Sequence, residues 1–231
     1  MADTVLFLHA FPLCRDMWRE QIEVLEAAGK RTVAHNLPGF GGEEGAISSL
    51  PETAEWILER VPTGPLDAIG LSMGGYLLME LLRQDPLRFD RVVLADTTAR
   101  ADTSERVAQR EEQARRALTE GVGFLIADAS QTHPPLTAQR ASKMIYQASR
   151  EGVAGALHAM AARVDSRKDL PKLGERAIVI VGENDTVTPP DTARELAKAL
   201  GSPLHVLPNA GHLSNLDAAE AFNDVLLNFL T

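Results

Sequence analysis

With 231 residues, one cysteine (Cys14) and 32 acidic against 23 basic side chains, the chain carries a formal charge of -9. A chain of this length can bury a large apolar core without a disulfide, and a lone cysteine has no internal partner. The negative balance repels phosphate backbones and anionic lipid, so neither nucleic acid nor a membrane surface is an expected partner.

No apolar run approaches the roughly 20 residues that span a bilayer, and no basic segment leads into an apolar one at the N-terminus, so a cytoplasmic location is expected. Val5 to Leu8 reads as a first buried strand, followed by a helix from Met17 to Ala28 that Gly29 ends. Arg31 to Asn36 is a weaker strand before the turn-forming Leu37 to Gly42. Leu50 to Arg60 is helical, with Pro51 in its first turn. Leu66 to Leu71 is a strand that runs into Ser72, Gly75 to Gln84 has helical periodicity, and Arg91 to Ala95 is a fourth strand.

Beyond Thr98 the pattern changes. As far as Leu173 there is no β-branched run, and alanine, arginine and glutamate with apolar residues three and four apart predict several helices. Strand and helix then alternate again through Ala177 to Val181, Asp191 to Leu200, Leu204 to Leu207 and Ala218 to Phe229. The expectation is an α/β fold: a mostly parallel sheet of six strands with helices on both faces. Residues 1-98 and 174-231 form the core, and residues 99-173 form a helical insertion.

Gly70-x-Ser72-x-Gly74 at a strand-to-helix junction has the pattern of a tight turn that lifts a serine hydroxyl above the sheet edge. Such a hydroxyl attacks a carbonyl only if a base takes its proton, so a histidine oriented by a carboxylate is required elsewhere. Asp185, in the stretch "VGENDTVTPP", and His212, in "NAGH", each follow a predicted strand at its carboxyl end, where sites in open α/β sheets assemble. Two backbone donors for a developing oxyanion are expected from Met73, after the serine, and from Phe11, after the first strand; Pro12 has no N-H to offer.

These stretches, "FLHAFP", "GLSMGG", "VGENDTVTPP" and "AGHLSNL", resemble the α/β-hydrolase superfamily. With "LADTTAR", the C-terminal stretch is most similar to the 3-oxoadipate enol-lactonase and carboxylesterase branch. The resemblance implies an α/β-hydrolase fold lacking the usual N-terminal hairpin, a helical cap at residues 99-173, a Ser72-His212-Asp185 triad and no cofactor. Ala10 replaces a usual glycine and Asn36 a frequent aspartate.

Other residues have simpler readings. Asp96 is an alternative acid, or a cap for the first turn of the insertion, and Asp217 reads as a helix N-cap. His9 fits a loop-fixing hydrogen bonder at the edge of the substrate pocket. His133 and His158 fall in the cap, His35 and His205 read as structural, and Cys14 reads as a buried filler. The run Arg106 to Arg116 reads as a solvated helix face rather than a binding patch. Leu125, Ile126, Met144 and Met160 are expected to pack the cap and to give it an apolar underside facing the substrate. No metal-ligand spacing is present.

The expected activity is hydrolysis of small carboxylic esters or lactones through an acyl-enzyme, by a monomer or homodimer whose partner is a small molecule. An enol-lactonase, a cofactor-free perhydrolase or haloperoxidase, and a carbon-carbon bond hydrolase are alternatives; from another class, a non-catalytic binding module would keep only the fold. An enol-lactone substrate would bring a carboxylate, for which Arg15, Arg100, Arg140 and Arg163 are candidates.

Overall fold

The computed structural model describes residues 2-231. Six strands form one sheet: β1 (Thr4-Leu8), β2 (Arg31-Ala34), β3 (Leu66-Leu71), β4 (Phe89-Ala95), β5 (Ala177-Gly182) and β6 (Leu204-Leu207). Their order is β2-β1-β3-β4-β5-β6 and every pairing is parallel. Every residue of β1, β3 and β5 is buried, which explains why these strands are largely apolar: both faces of a parallel sheet are covered, and the exception in β3, Asp67, pairs with Lys30.

The helices of the core are α1 (Arg19-Ala27), α2 (Leu50-Leu58) and α3 (Met73-Gln84). Four more, α4 (Ser104-Glu120), α5 (Gly123-Thr132), α6 (Pro135-Ile145) and α7 (Arg150-Ala161), stand between β4 and β5. The chain closes with α8 (Pro190-Leu200), the short α9 (Ser214-Asp217) and α10 (Ala219-Leu230). α1 packs on α10 and α2 on α3, covering the two sides of the sheet, while α4 packs along α7.

On the α1 side, Trp18 lies 5.3 Å from the Phe7 ring and 6.1 Å from Phe222, joining β1 to α10 through one buried cluster. Burial of each such side chain stabilises by about 1.5-3 kcal/mol. No helix among the described residues is long and apolar enough to cross a membrane.

Most boundaries lie within two residues of the sequence expectation, and three of the departures have a local cause. The predicted helix from Met17 begins instead as a 3-10 turn at Arg15-Trp18, and the α-helix proper starts at Arg19. β2 stops at Ala34, because the Asn36 side chain turns back to the Gly41 carbonyl and starts the next turn. α3 begins at Met73, two residues earlier than its apolar periodicity suggests. The glycines that mask that periodicity are helical because the helix start presses against β1: a Cβ on Gly74 would stand 2.1 Å from the Leu8 carbonyl oxygen.

Candidate active site

The strand order reverses direction between β1 and β3, and a crevice opens at such a switch point at the carboxyl ends of the strands. The chain leaves β3 through Ser72, whose backbone sits at φ 55° and ψ -115°, outside the regions L-residues favour. That conformation needs neighbours without side chains. A Cβ on Gly70 would lie 2.3 Å from the Gly74 carbonyl oxygen, so the glycines flanking Ser72 are where the turn folds on itself. Strain of this kind costs on the order of 1-3 kcal/mol and persists only where the surroundings enforce it. Here they do: the Ser72 N-H donates to the Ala95 carbonyl, and its own carbonyl accepts from Gly75, Tyr76 and the Thr97 hydroxyl.

Ser72 Oγ lies 2.9 Å from His212 Nε2, and His212 Nδ1 lies 2.9 Å from Asp185 Oδ2. The three side chains come from the loops after β3, β6 and β5, and Ser72 retains 8 % exposure, enough to be met from one direction. Asp185 is held by its own loop: Oδ1 accepts from the N-H groups of Val187 and Thr188, and Oδ2 from the Thr188 hydroxyl. Burial pushes this carboxyl up, but the His212 and Thr188 donors outweigh it and hold it below the usual carboxylate range. For His212 burial pushes down, and the bond and charge of Asp185, with the charge of Asp96, win and raise it. A carboxylate so fixed keeps the proton on Nδ1 and leaves Nε2 free to accept one from Ser72.

Met73 N-H, at the first position of α3, and Phe11 N-H have no acceptor among the described hydrogen bonds. They leave the two strands that flank the switch point, where Leu8 of β1 stands in register with Gly70 of β3. His9 fixes the first of these loops and does not line a pocket. It is fully buried; Nδ1-H donates to the Ala10 carbonyl and Nε2 accepts from the Leu37 N-H, using one donor and one acceptor of a neutral ring. Burial holds its pKa down to about 4, so it stays neutral.

Asp96 is placed otherwise than as a triad acid or a helix cap. It is fully buried at φ 43° and accepts from the Gly182 N-H (2.8 Å), the Ser214 N-H (3.2 Å) and the Ser214 hydroxyl (2.5 Å). It therefore ties β4 to β5 and to the loop that carries His212. Burial pushes its carboxyl up to about 7, against the pull of the His212 charge and of these donors.

Asp217 is not an N-cap. Its Oδ2 accepts from the Gly211 N-H beside His212, and its Oδ1 accepts from the Thr137 hydroxyl of α6, so it joins the histidine loop to the cap.

The residues expected to pack the helical insertion and to give it an apolar underside are divided among several contacts. Leu125 and Met144 are buried and Ile126 is partly buried against the core. Met144, with Met17 and Leu216, lines a recess beside α6 rather than the serine. Met160 offers its sulfur to Arg110 and its carbonyl to Arg163. The run from Arg106 is only partly a solvated face: Arg110, Ala114 and Ala117 point inward, at the spacing of a buried helix stripe.

Of the four arginines expected to meet a carboxylate, Arg140 pairs with Glu20, Arg100 with Glu195, and Arg15 is exposed, its backbone N-H donating to the Asn36 side-chain oxygen. Only Arg163 has a buried side chain, paired with Asp102. Thr188 and the Asp96-Ser214 tie escaped the sequence reading. The first had a local signal, since aspartate followed three residues later by threonine before proline favours a turn in which the acid accepts from its own loop; the second, 118 residues apart, had none.

The geometry has counterparts among known proteins. The chain is 30 % identical to a thermophilic esterase from Thermogutta terrifontis, with a TM-score of 0.89 over 100 % of this chain and 90 % of that one. An enol-lactonase from Burkholderia xenovorans LB400 is 26 % identical, with a TM-score of 0.85 over 100 % and 92 %. Among curated proteins, the dihydrolipoyllysine-residue acetyltransferase component of the acetoin cleaving system of Cupriavidus necator is 27 % identical over 245 residues, 99 % of this chain; the chain spans 64 % of that relative's length. The family model described as alpha/beta hydrolase fold matches residues 3-219, which is nearly the whole chain, and the protein belongs to that family.

Proposed function

We propose that the protein is a serine hydrolase that cleaves small carboxylic esters or lactones through an acyl-enzyme. The observation that carries this reading is the unbroken hydrogen-bonded series Ser72-His212-Asp185 beside two N-H groups without a described acceptor. In this reading Ser72 Oγ attacks the carbonyl carbon as His212 Nε2 takes its proton. The oxyanion accepts hydrogen bonds from Phe11 and Met73. His212 returns the proton to the leaving alcohol oxygen, and a water, deprotonated by the same ring, releases the acid and restores Ser72. In a lactone the leaving oxygen stays tethered to the acyl group.

Similarity to an esterase over the whole chain and to an enol-lactonase supports carbonyl-oxygen substrates. A binding module needs no base aligned on a strained serine, and that alignment argues against it. The test is hydrolysis of p-nitrophenyl esters from acetate to octanoate by wild type and Ser72→Ala. Turnover of the short chains that disappears in Ser72→Ala is expected; equal rates in the two proteins would overturn the reading.

A further inference from the structure

Between the end of β4, the start of α4 and the Asp185 loop lies a recess of about 190 Å³. Its wall includes Arg106, Arg110, Arg163, Asp102, Val187 and Thr188. Asp102 accepts from Arg110 Nε at 2.5 Å and pairs with Arg163 Nη2 at 2.8 Å, and all three side chains are 5-7 % exposed. Two buried guanidinium groups thus share one carboxylate. Their other partners are neutral: the Met160 sulfur and carbonyl, the Arg100 carbonyl and the face of Tyr76, 4.2 Å from Arg163.

One turn earlier on α4, the Arg106 guanidinium bonds only the uncharged Gln109 side chain among the described residues. A chain of net charge -9 therefore keeps an excess of cations in one small recess. Buried charge without a counter-charge is costly, and planar forks of N-H donors match a carboxylate or phosphate in two-point contact.

The recess adjoins the chemistry. Thr188 Oγ1 is 3.3 Å from His212 Nδ1, so only the imidazole ring separates this wall from Ser72. Arg106 acts on the same ring, its charge working against protonation of His212. Val187, 53 % exposed, offers an apolar shelf at the rim.

We propose that this recess binds a free carboxylate carried by the substrate. Building on the hydrolase reading above, the preferred esters or lactones are then monoanions whose acid group pairs with Arg106 and the Arg110-Arg163 cluster. A free dicarboxylate or inorganic phosphate presents the same chemistry, and the test separates the two sources.

The experiment compares monoethyl glutarate with ethyl pentanoate, acyl chains of matched length with and without the charge, at constant ionic strength. Wild type should favour the anionic ester at least tenfold in kcat/KM, and Arg106→Gln should reduce that ratio at least tenfold. A ratio near one that the variant leaves unchanged overturns the substrate assignment. The anion site has its own readout in the melting temperature of Ser72→Ala with added glutarate or phosphate. A rise that Ser72→Ala/Arg106→Gln lacks supports the site, and its absence with both anions overturns it. Hydrolysis of ethyl pentanoate that survives Ser72→Ala overturns the hydrolase reading alone, since the melting shift requires no catalysis.

Discussion

The loops that leave β4 and β5 each carry a buried aspartate close to His212, and they use it in opposite ways. Asp185 takes its backbone and hydroxyl donors from its own loop, within three residues, and turns one oxygen to the histidine. Asp96, at the end of its strand, gives both oxygens to other segments, at Gly182 and Ser214. A local set of donors lets a carboxylate present a fixed oxygen outward, whereas a long-range set makes it a tie. Which acid reaches the histidine is therefore decided by where the donors lie rather than by which strand the loop follows.

The largest expected effect separates the two acids in kinetics. Asp185→Asn should lower kcat about 10⁴-fold, the order seen when a triad loses its orienting charge, while Asp96→Asn should stay within about tenfold of wild type. Ester turnover by both variants checks this, and equal losses would make Asp96 a member of the catalytic group.

The next effect is on stability. In Asp96→Asn an amide N-H₂ opposes at least one donor, which costs about 1-3 kcal/mol. Asp96 has a folded pKa raised to about 7 above its unfolded value, so its stabilising contribution is full below the unfolded pKa and is lost as pH rises through about 7. The variant's deficit in urea melts should accordingly be larger at pH 5 than at pH 8. A deficit that grows with pH would contradict the raised pKa of Asp96.

A third outcome concerns pH and rate. Because His212 is raised above 6.5 and must be neutral to take the serine proton, the acid limb of kcat/KM should fall above pH 6.5. The stability contributed by the raised histidine runs the other way, present below 6.5 and lost as pH rises through the folded value. In Asp96→Asn the limb should move to lower pH, since the Asp96 charge helps to raise the histidine. Thr188→Val, which removes one donor from Asp185, should cost about tenfold or somewhat more in kcat, the size of one hydrogen bond to a charged group. Smallest of all, Glu20→Ala should change stability by less than about 1 kcal/mol, because its pair with Arg140 is about two-fifths exposed on each side.

Much of the sheet was legible because its strands are short apolar runs between helices whose ends carry Gly or Pro. Leu66-Leu71 and Leu204-Leu207 were readable to the residue for that reason. The loops bearing Ser72, Asp185 and His212 were readable as well, since each follows such a run. What the pattern hides is long-range polar pairing. Nothing near Asp217 shows that it holds Gly211 and Thr137, and nothing near Arg110 shows that an arginine in a charge-rich run turns inward to Asp102. The cap could be read as helices but not oriented, because alanine-rich helices offer several faces of similar polarity and packing chooses among them.

The central claim is that Ser72 is the nucleophile that His212 activates. Intact-mass analysis after treatment with a fluorophosphonate, which phosphonylates an activated serine with loss of fluoride, tests it without knowledge of the natural substrate. The account predicts one adduct, mapped to Ser72, absent in Ser72→Ala and formed far more slowly in His212→Ala. An unmodified wild type, or an adduct that persists in Ser72→Ala, would contradict it.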